Sequence, residues 1–492
     1  ELQVTMNYPN VREYEGDFNA NAPLSDFESI ISYNFNDVDS TEELLYKLEK
    51  DISLRLGIEK EYGINVMSMD GVSIGKEILK SRYLQDTGKT WNEIKDLRSP
   101  CEYIPLKDVI IPNLSYQIPR LQTLLHNMKN LILHPGYERW SETFDFFGTV
   151  VNIAEGGIHS VNNPEIIIPK EDEMLIDWDA ASLYPSLLIN YGFYPQHLGK
   201  EFLTTYSKIR TERIEAKHNG NKVKNETLKL CLNSVTGLMQ NEYSWMYSPK
   251  DVYKIRINGQ LLLLKLAEML ILATNCRIIQ YNTDGIFVLI KKKDFDKANK
   301  TIKEFEAFSK LSMEGDEFEA FYQYAINDYI AVHKGYAETH DPKLIKTKGL
   351  FINTVSLGKG MAPKIIADCL IQYFVNKIPV EKTLKECNDI CKFLTYQKVK
   401  KEFSVEYNGK LLTHINRYYM STNGYRIKRC VVNPQTGIRT NYADLCATSG
   451  VTLFNELKDI SPKAAHVNYN WYRNEVYKII YALEDSLNPT LF

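Results

Sequence analysis

The chain has 492 residues, 44% of them hydrophobic and 25% charged, with a formal net charge of −3. That composition is ordinary for a globular protein of two to four domains, and eight scattered cysteines argue against a disulfide scaffold and for a reducing, cytoplasmic compartment. The charge is segregated: residues 200–229 carry a net +4 and residues 377–430 a net +7, which leaves about −14 for the remainder. Basic surfaces on an acidic body suit a protein that holds phosphates in one groove and repels them elsewhere.

Residues 1–30 are polar and show no signal-peptide pattern. Residues 40–60 read as an amphipathic helix entered through a Ser/Thr cap. Residues 61–150 are mixed, with turns marked by Pro112 and Pro119. The string EMLIDWDAASLYPSLLI, from Glu173, predicts a strand, a turn and a short helix. Residues 199–218 and 222–240 predict two helices joined at His218-Asn219-Gly220-Asn221, hence an antiparallel helical hairpin. An apolar helix over about 257–274, carrying Lys265 and Glu268, is expected to be buried rather than to cross a membrane. It leads into RIIQYNTDGIFVLI, two β-rich runs around a turn at Asp284-Gly285. After Leu350 the pattern is expected to be mostly helical, with a loop-rich insertion near 405–440. Cys387 and Cys391, four residues apart without a second ligand pair, read as buried thiols rather than a zinc site.

Two aspartates are placed alike: Asp179 ends one β-like run, and Asp284 sits at the tip of a hairpin. If the strands are neighbours, their carboxylates meet at one sheet edge, where hard oxygen ligands suit Mg²⁺ together with substrate phosphates. Between them in sequence lies the basic hairpin, with Arg210, Arg213 and Lys217 on one helix and Lys222, Lys229 and Asn233 on the other. Cations facing a metal-bound triphosphate are what nucleotidyl transfer needs. Asp177 points to the same strand face as Asp179 and is a candidate third ligand.

The strings themselves resemble three motifs of the family B DNA polymerases, in the family's order. Asp179-Ala-Ala-Ser182-Leu183-Tyr184-Pro185-Ser186 resembles motif A, and Lys229-Leu-Cys-Leu-Asn233-Ser234-Val-Thr236-Gly237 resembles motif B, with Thr236 where Tyr is usual. Tyr281-Asn282-Thr283-Asp284-Gly285 resembles motif C, with Asn282 and Gly285 replacing the usual first Asp and the Ser. Gly156-Gly157 is similar to the family's Gly-Gly turn, without its Tyr (Ala154), and Lys348-Gly349 to the strand that holds the primer–template duplex. Asn327-Asp-Tyr329 resembles a Lys-x-Tyr element that has lost its Lys, and Tyr33 to Asp37 resembles the third motif of a proofreading exonuclease.

The resemblance implies an α+β, right-hand polymerase of phage type. Its palm would be an antiparallel sheet (172–198 and 249–349), with two-helix fingers (199–248) and a mostly helical thumb (350–492). An exonuclease-domain remnant (1–60) and a connector (61–171) would precede them. It implies a DNA-directed DNA polymerase of phage replication, with two Mg²⁺ ions (Mn²⁺ able to substitute) on Asp179, Asp284 and the Ala180 carbonyl, and it makes Asp177 a bystander. Lys229 would touch the triphosphate and protonate the leaving pyrophosphate. Ser182, Leu183, Tyr184, Arg213, Lys217 and Asn233 would complete nucleotide binding, with Tyr184 excluding a 2′-hydroxyl. Gly156, Gly157, Tyr281, Thr283, Lys348 and Gly349 would contact DNA, and His159 is expected to be structural or a DNA-backbone contact. The expected partners are primer–template DNA and deoxynucleoside triphosphates, for a monomer in a bacterial host's cytoplasm and not at a membrane. Proofreading is not expected, since only some thirty residues precede Tyr33, and the chain reads as the C-terminal part of a longer polymerase. The short intervals Asp179 to Lys229 and Gly237 to Asp284 leave no room for the insertions of protein-primed relatives, so a nucleic-acid primer is expected. The alternative reading is a catalytically impaired relic that binds DNA.

Overall fold

The computed structural model describes residues 1–14, 21, 23–136, 140–161, 163–354, 357, 361–446 and 450–485. Three helices come early: α1 (Phe27–Lys47), α2 (Glu49–Tyr62) and α3 (Gly71–Thr87). Strands β1 (Ser141–Phe146), β2 (Thr149–Ala154), β3 (Gly157–Ser160), β4 (Glu165–Ile167) and β5 (Glu173–Ala180) follow. They lead into α4 (Leu183–Tyr191), α5 (Gly199–His218), α6 (Lys222–Gln240) and α7 (Pro249–Thr274). Then come β6 (Arg277–Asn282), β7 (Gly285–Lys291), α8 (Phe295–Ser309), β8 (Met313–Ala325), β9 (Asp328–His333) and β10 (Ile345–Lys348). The ten strands form one antiparallel sheet, ordered β10-β9-β8-β5-β7-β6-β3-β2-β1 with β4 beside β8. The fold class is α+β, with helices and antiparallel sheets.

Helix α7 is the scaffold of the larger core. No proline interrupts its interior; Pro249 stands at its first turn, where a missing N–H costs nothing. By length and composition α7 could cross a membrane, but here Leu261 to Leu264 are fully buried among the helices and the sheet. Its polar side chains are used to hold irregular backbone. Asn258 accepts from the Ile111 N–H at 2.9 Å and donates to the Val109 carbonyl at 2.8 Å. One carboxylate oxygen of Glu268 accepts from the N–H groups of Gln117 and Ile118 at 2.6 and 2.7 Å, and the other meets Lys265 at 2.7 Å. Chain segments 109–118, which have no ladder of their own, thereby satisfy their buried donors.

The helical hairpin α5–α6 has the expected bounds, pinned where the Tyr206 hydroxyl donates to the Leu232 carbonyl at 2.9 Å. Three expectations are corrected. The helix predicted over 40–60 is two helices meeting at Leu48, and Ser40 and Thr41 lie inside α1 rather than capping it. Both hydroxyls donate back to the Asp37 carbonyl, which lets them sit in a helix interior. Residues 1–60 are not one unit: Val4 and Val11 join the core of the C-terminal part, whereas Ile58 joins the α7 core.

The region after Leu350 is not mostly helical. Helices Lys364–Phe374, Val380–Glu386 and Tyr469–Glu484 pack beside two β-sheets, one of Thr395–Lys398, Ile415–Tyr425 and Val451–Leu453, the other of Ser404–Tyr407, Lys410–Leu412, Ile427–Val432 and Arg439–Asp444. The expected loop-rich insertion is this second sheet. Its first hairpin turns on Asn408-Gly409, both left-handed (φ 47° and 76°), the conformation that matches the twist of paired strands.

Glu268→Ala should destabilise the chain by about 3 kcal/mol, because two backbone donors and Lys265 lose a buried acceptor together. Glu268→Gln, which keeps an acceptor, should cost less. Urea denaturation of both variants checks the order.

Candidate active site

The carboxylates come together because of strand register. β5 lies between β7 and β8, with Asp179 opposite Gly285 on one side and Glu314 on the other. Asp284 precedes Gly285 in the β6–β7 turn, and the Ala180 N–H donates to the Asp284 carbonyl at 2.8 Å. The turn is tight: Thr283 is left-handed (φ 58°), and its N–H donates to the Ile158 carbonyl of β3 at 3.0 Å. Gly285 is glycine for a reason of space, since a Cβ there would overlap the Asp179 carboxylate.

Asp177, Asp179, Asn282, Thr283, Asp284 and Lys348 line one cavity of about 420 Å³, together with Gln280, Tyr329 and Lys346. The sequence reading missed Lys346. It stands two residues from Lys348 on one strand face, and that period-two spacing was the available signal. Its Nζ lies 3.9 Å from Asp177 Oδ2. Lys348 lies over the Tyr329 ring at 5.7 Å. Gly349 is left-handed (φ 61°), and a Cβ there would strike the Asp328 carboxylate and the Asn327 carbonyl.

The electrostatics of the cavity favour a bound cation. Burial raises the Asp179 carboxyl, and the Asp284 charge raises it further. Burial likewise raises Asp284, against the pull of Lys348 and Lys346. Asp177 is pushed up to about 8, by burial first and by Asp179 second. Burial works against the Lys346 charge, but Tyr329 and the aspartates outweigh it and raise its pKa. Two carboxylates at one strand end are hard oxygen donors of the kind that suits Mg²⁺, and Lys346 and Lys348 offset only part of the effect of burial. Among the described residues no group of three His, Cys, Asp or Glu side chains is placed to hold a metal ion.

From Ala180 the chain enters α4 through Ser182, held left-handed (φ 54°, ψ 57°). The Ser182 side chain does not cap α4, which leaves the N–H groups of its first turn and the positive end of the helix dipole without a capping acceptor from that residue. Two guanidinium groups of α5 reach this turn: Arg213 donates to Ser182 Oγ and Arg210 to Ser186 Oγ, each at 3.4 Å. Leu183 is buried, and Tyr184 is half-buried with its phenol raised by burial.

Other expected residues stand apart. Lys229 and Asn233 share an exposed stripe of α6, and Lys229 Nζ is 3.9 Å from Glu226. Lys217 is exposed in the last turn of α5, where its carbonyl accepts from the Gly220 N–H at 3.3 Å. Gly156 and Gly157 lie at the β2–β3 turn, and β3 meets β6 where His159 faces Asn282. Burial first and the Lys348 charge second lower the His159 pKa. Tyr281 is a correction: its side chain is wholly buried on the core side of β6, so it cannot touch DNA. Alternation along the strand turns it away from the face that carries Gln280 and Asn282.

An acid whose pKa is raised on folding stabilises the chain while protonated, and that contribution is lost as pH rises through the folded value. For Asp177 the loss runs from about pH 4 to about pH 8. Mg²⁺ should therefore raise the melting temperature more at about pH 8.5 than at about pH 6, where it competes with protons. Asp177→Asn should flatten the metal-free pH profile. Equal Mg²⁺ shifts at both pH values would count against a cation site here.

No protein-family model matches the chain, and no curated protein matches it. Among solved structures it is similar to the family B DNA polymerase from the hyperthermophilic archaeon Pyrobaculum calidifontis, at 13% identity and a TM-score of 0.45. The match covers 95% of this chain and 58% of that one, so the chain spans less than two thirds of that polymerase.

Proposed function

We propose that this chain is a template-directed DNA polymerase that adds deoxynucleotides to a primer 3′ end. The observation that carries the reading is the pairing of β5 with β7, which sets Asp179 and Asp284 at one strand end beside the start of α4. A pair of acids next to an anion-binding helix start suits a metal-bound triphosphate.

Asp179 and Asp284, with the Ala180 backbone, would hold two Mg²⁺ ions, which when bound supply the charge that acidifies the primer 3′-hydroxyl and steadies the leaving pyrophosphate. The N–H groups of Ser182 and Leu183 would receive the triphosphate, and Arg213 would add positive charge from α5. Lys229 would approach the triphosphate from α6 and hand a proton to the leaving group, with Asn233 beside the nascent pair and Lys217 toward the outer phosphates. The Tyr184 ring would lie under the sugar, where a 2′-hydroxyl collides with it. Thr283, Gly156, Gly157, Lys348 and Gly349 would hold the primer–template backbone. Lys346, beside Asp177, belongs to the same groove. The phage origin belongs to this proposal as well.

Asp179→Ala and Asp284→Ala should each lower primer extension with Mg²⁺ by about a thousandfold or more while leaving duplex binding intact. Near wild-type extension by either variant rejects the site, and a wild-type chain that binds DNA without extending it is a relic. Tyr184→Ala should raise ribonucleotide relative to deoxyribonucleotide incorporation by about tenfold or more. An unchanged ratio in single-nucleotide incorporation places the ring elsewhere.

A further inference from the structure

Among the described residues, helix α1 is tied to the body along one side. Asn36 and Ser40 are buried there, with Gln3 donating to Ser40 Oγ and Arg12 to Ser32 Oγ, each at 3.0 Å. The outward side carries Phe27, Ile31, Phe35, Val38 and Leu45, between 48% and 66% exposed, and Leu24 continues the line from the preceding turn at 82%. A single exposed leucine is normal on a protein surface. Six large apolar side chains in one line along about 30 Å of helix mark an interaction surface.

The spacing says what fits there. Leu24, Ile31, Val38 and Leu45 recur every seven residues, with Phe27 and Phe35 set between them. A seven-residue apolar repeat is a straight seam that another α-helix covers by knobs-into-holes packing. The charge says which helix. Within α1, Glu28, Asp37, Asp39, Glu42 and Glu43 face a single base, Lys47, which is already 3.0 Å from Glu43. A second copy of this chain sets acid against acid: antiparallel pairing about Phe35 brings Glu28 opposite Glu42, and parallel pairing brings Glu28 opposite itself. An anionic membrane surface meets the same repulsion. A helix with an apolar seam and flanking Lys or Arg satisfies both the spacing and the charge.

We propose that α1 is a docking site for a basic amphipathic helix of a different polypeptide. The proposal does not rest on the candidate active site, because none of these side chains lines its cavity.

Two synthetic peptides with the same leucine seam, one flanked by Lys and the other by Glu, test it by calorimetric titration against the full chain. The chain should bind the Lys-flanked peptide about tenfold more tightly or better. Ile31→Ala with Phe35→Ala and Val38→Ala should lose that binding with unchanged circular dichroism, and Glu28→Lys with Glu42→Lys, which leaves three acids against three bases on α1, should abolish the charge preference. Failure of the Lys-flanked peptide to bind, equal binding of both peptides, or full binding by the triple variant overturns the proposal. So does a dimer in sedimentation that the triple variant dissolves, or tighter binding to anionic vesicles than to the peptide.

Discussion

The register of β5 between β7 and β8 is the constraint on which the candidate site depends. Side chains alternate along a strand, so a one-residue slip would send Asp177 and Asp179 to the opposite face and bring Trp178 into the cavity. The register is held from both faces. Ile176 and Trp178 belong to the α7 core, while Leu175 packs with Ile279, Phe287, Phe318 and Phe321 on the other side of the sheet. Hydrophobic burial fixes the strand, and the strand then places the acids.

That arrangement stores electrostatic cost. The pairing of β5 with β7 presses Asp179 onto Gly285, with Asp284 one residue away and Asp177 behind. The only nearby cations among the described residues of the cavity are Lys346 and Lys348, and Lys346 is aimed at Asp177 rather than at the pair. An environment that raises three carboxyl groups together is unfavourable without a further cation and suited to one. The cost is borne by the scaffold, where α7 uses Asn258 and Glu268 to satisfy backbone that would otherwise be buried unpaired.

The helical hairpin divides its charge between structure and surface. On its inner side Arg82 grips both oxygens of Glu212 at 2.6 and 2.7 Å, and Lys224 lies 3.2 Å from the same carboxylate. Those cations brace α3 against α5 and α6. Arg210 and Arg213 instead reach toward the start of α4, and Lys222, Lys229 and Asn233 stay on an exposed stripe. A local charge count cannot separate these duties, because the partner acids come from distant parts of the chain.

Much of the central region was legible from the sequence. The hairpin bounds followed from His218-Asn219-Gly220-Asn221, and the burial of α7 followed from its apolar run interrupted by Lys265 and Glu268. The placement of Asp179 at a strand end and Asp284 in a turn followed from periodicity and Asp-Gly. The C-terminal sheets were misread although Asn408-Gly409 is a strong hairpin signal, because the strands that flank it are only 4 and 3 residues long and show little alternation. Tertiary structure alone decided that Tyr281 is buried, that Lys346 faces the aspartates, and that residues 1–14 join the C-terminal core. The sequence by itself determined which residues could carry the chemistry and which local elements bear them. Which of them meet depended on strand order and packing, since contacts between residues 100 or more apart are set by how whole elements bury their apolar faces, and no local pattern records that choice.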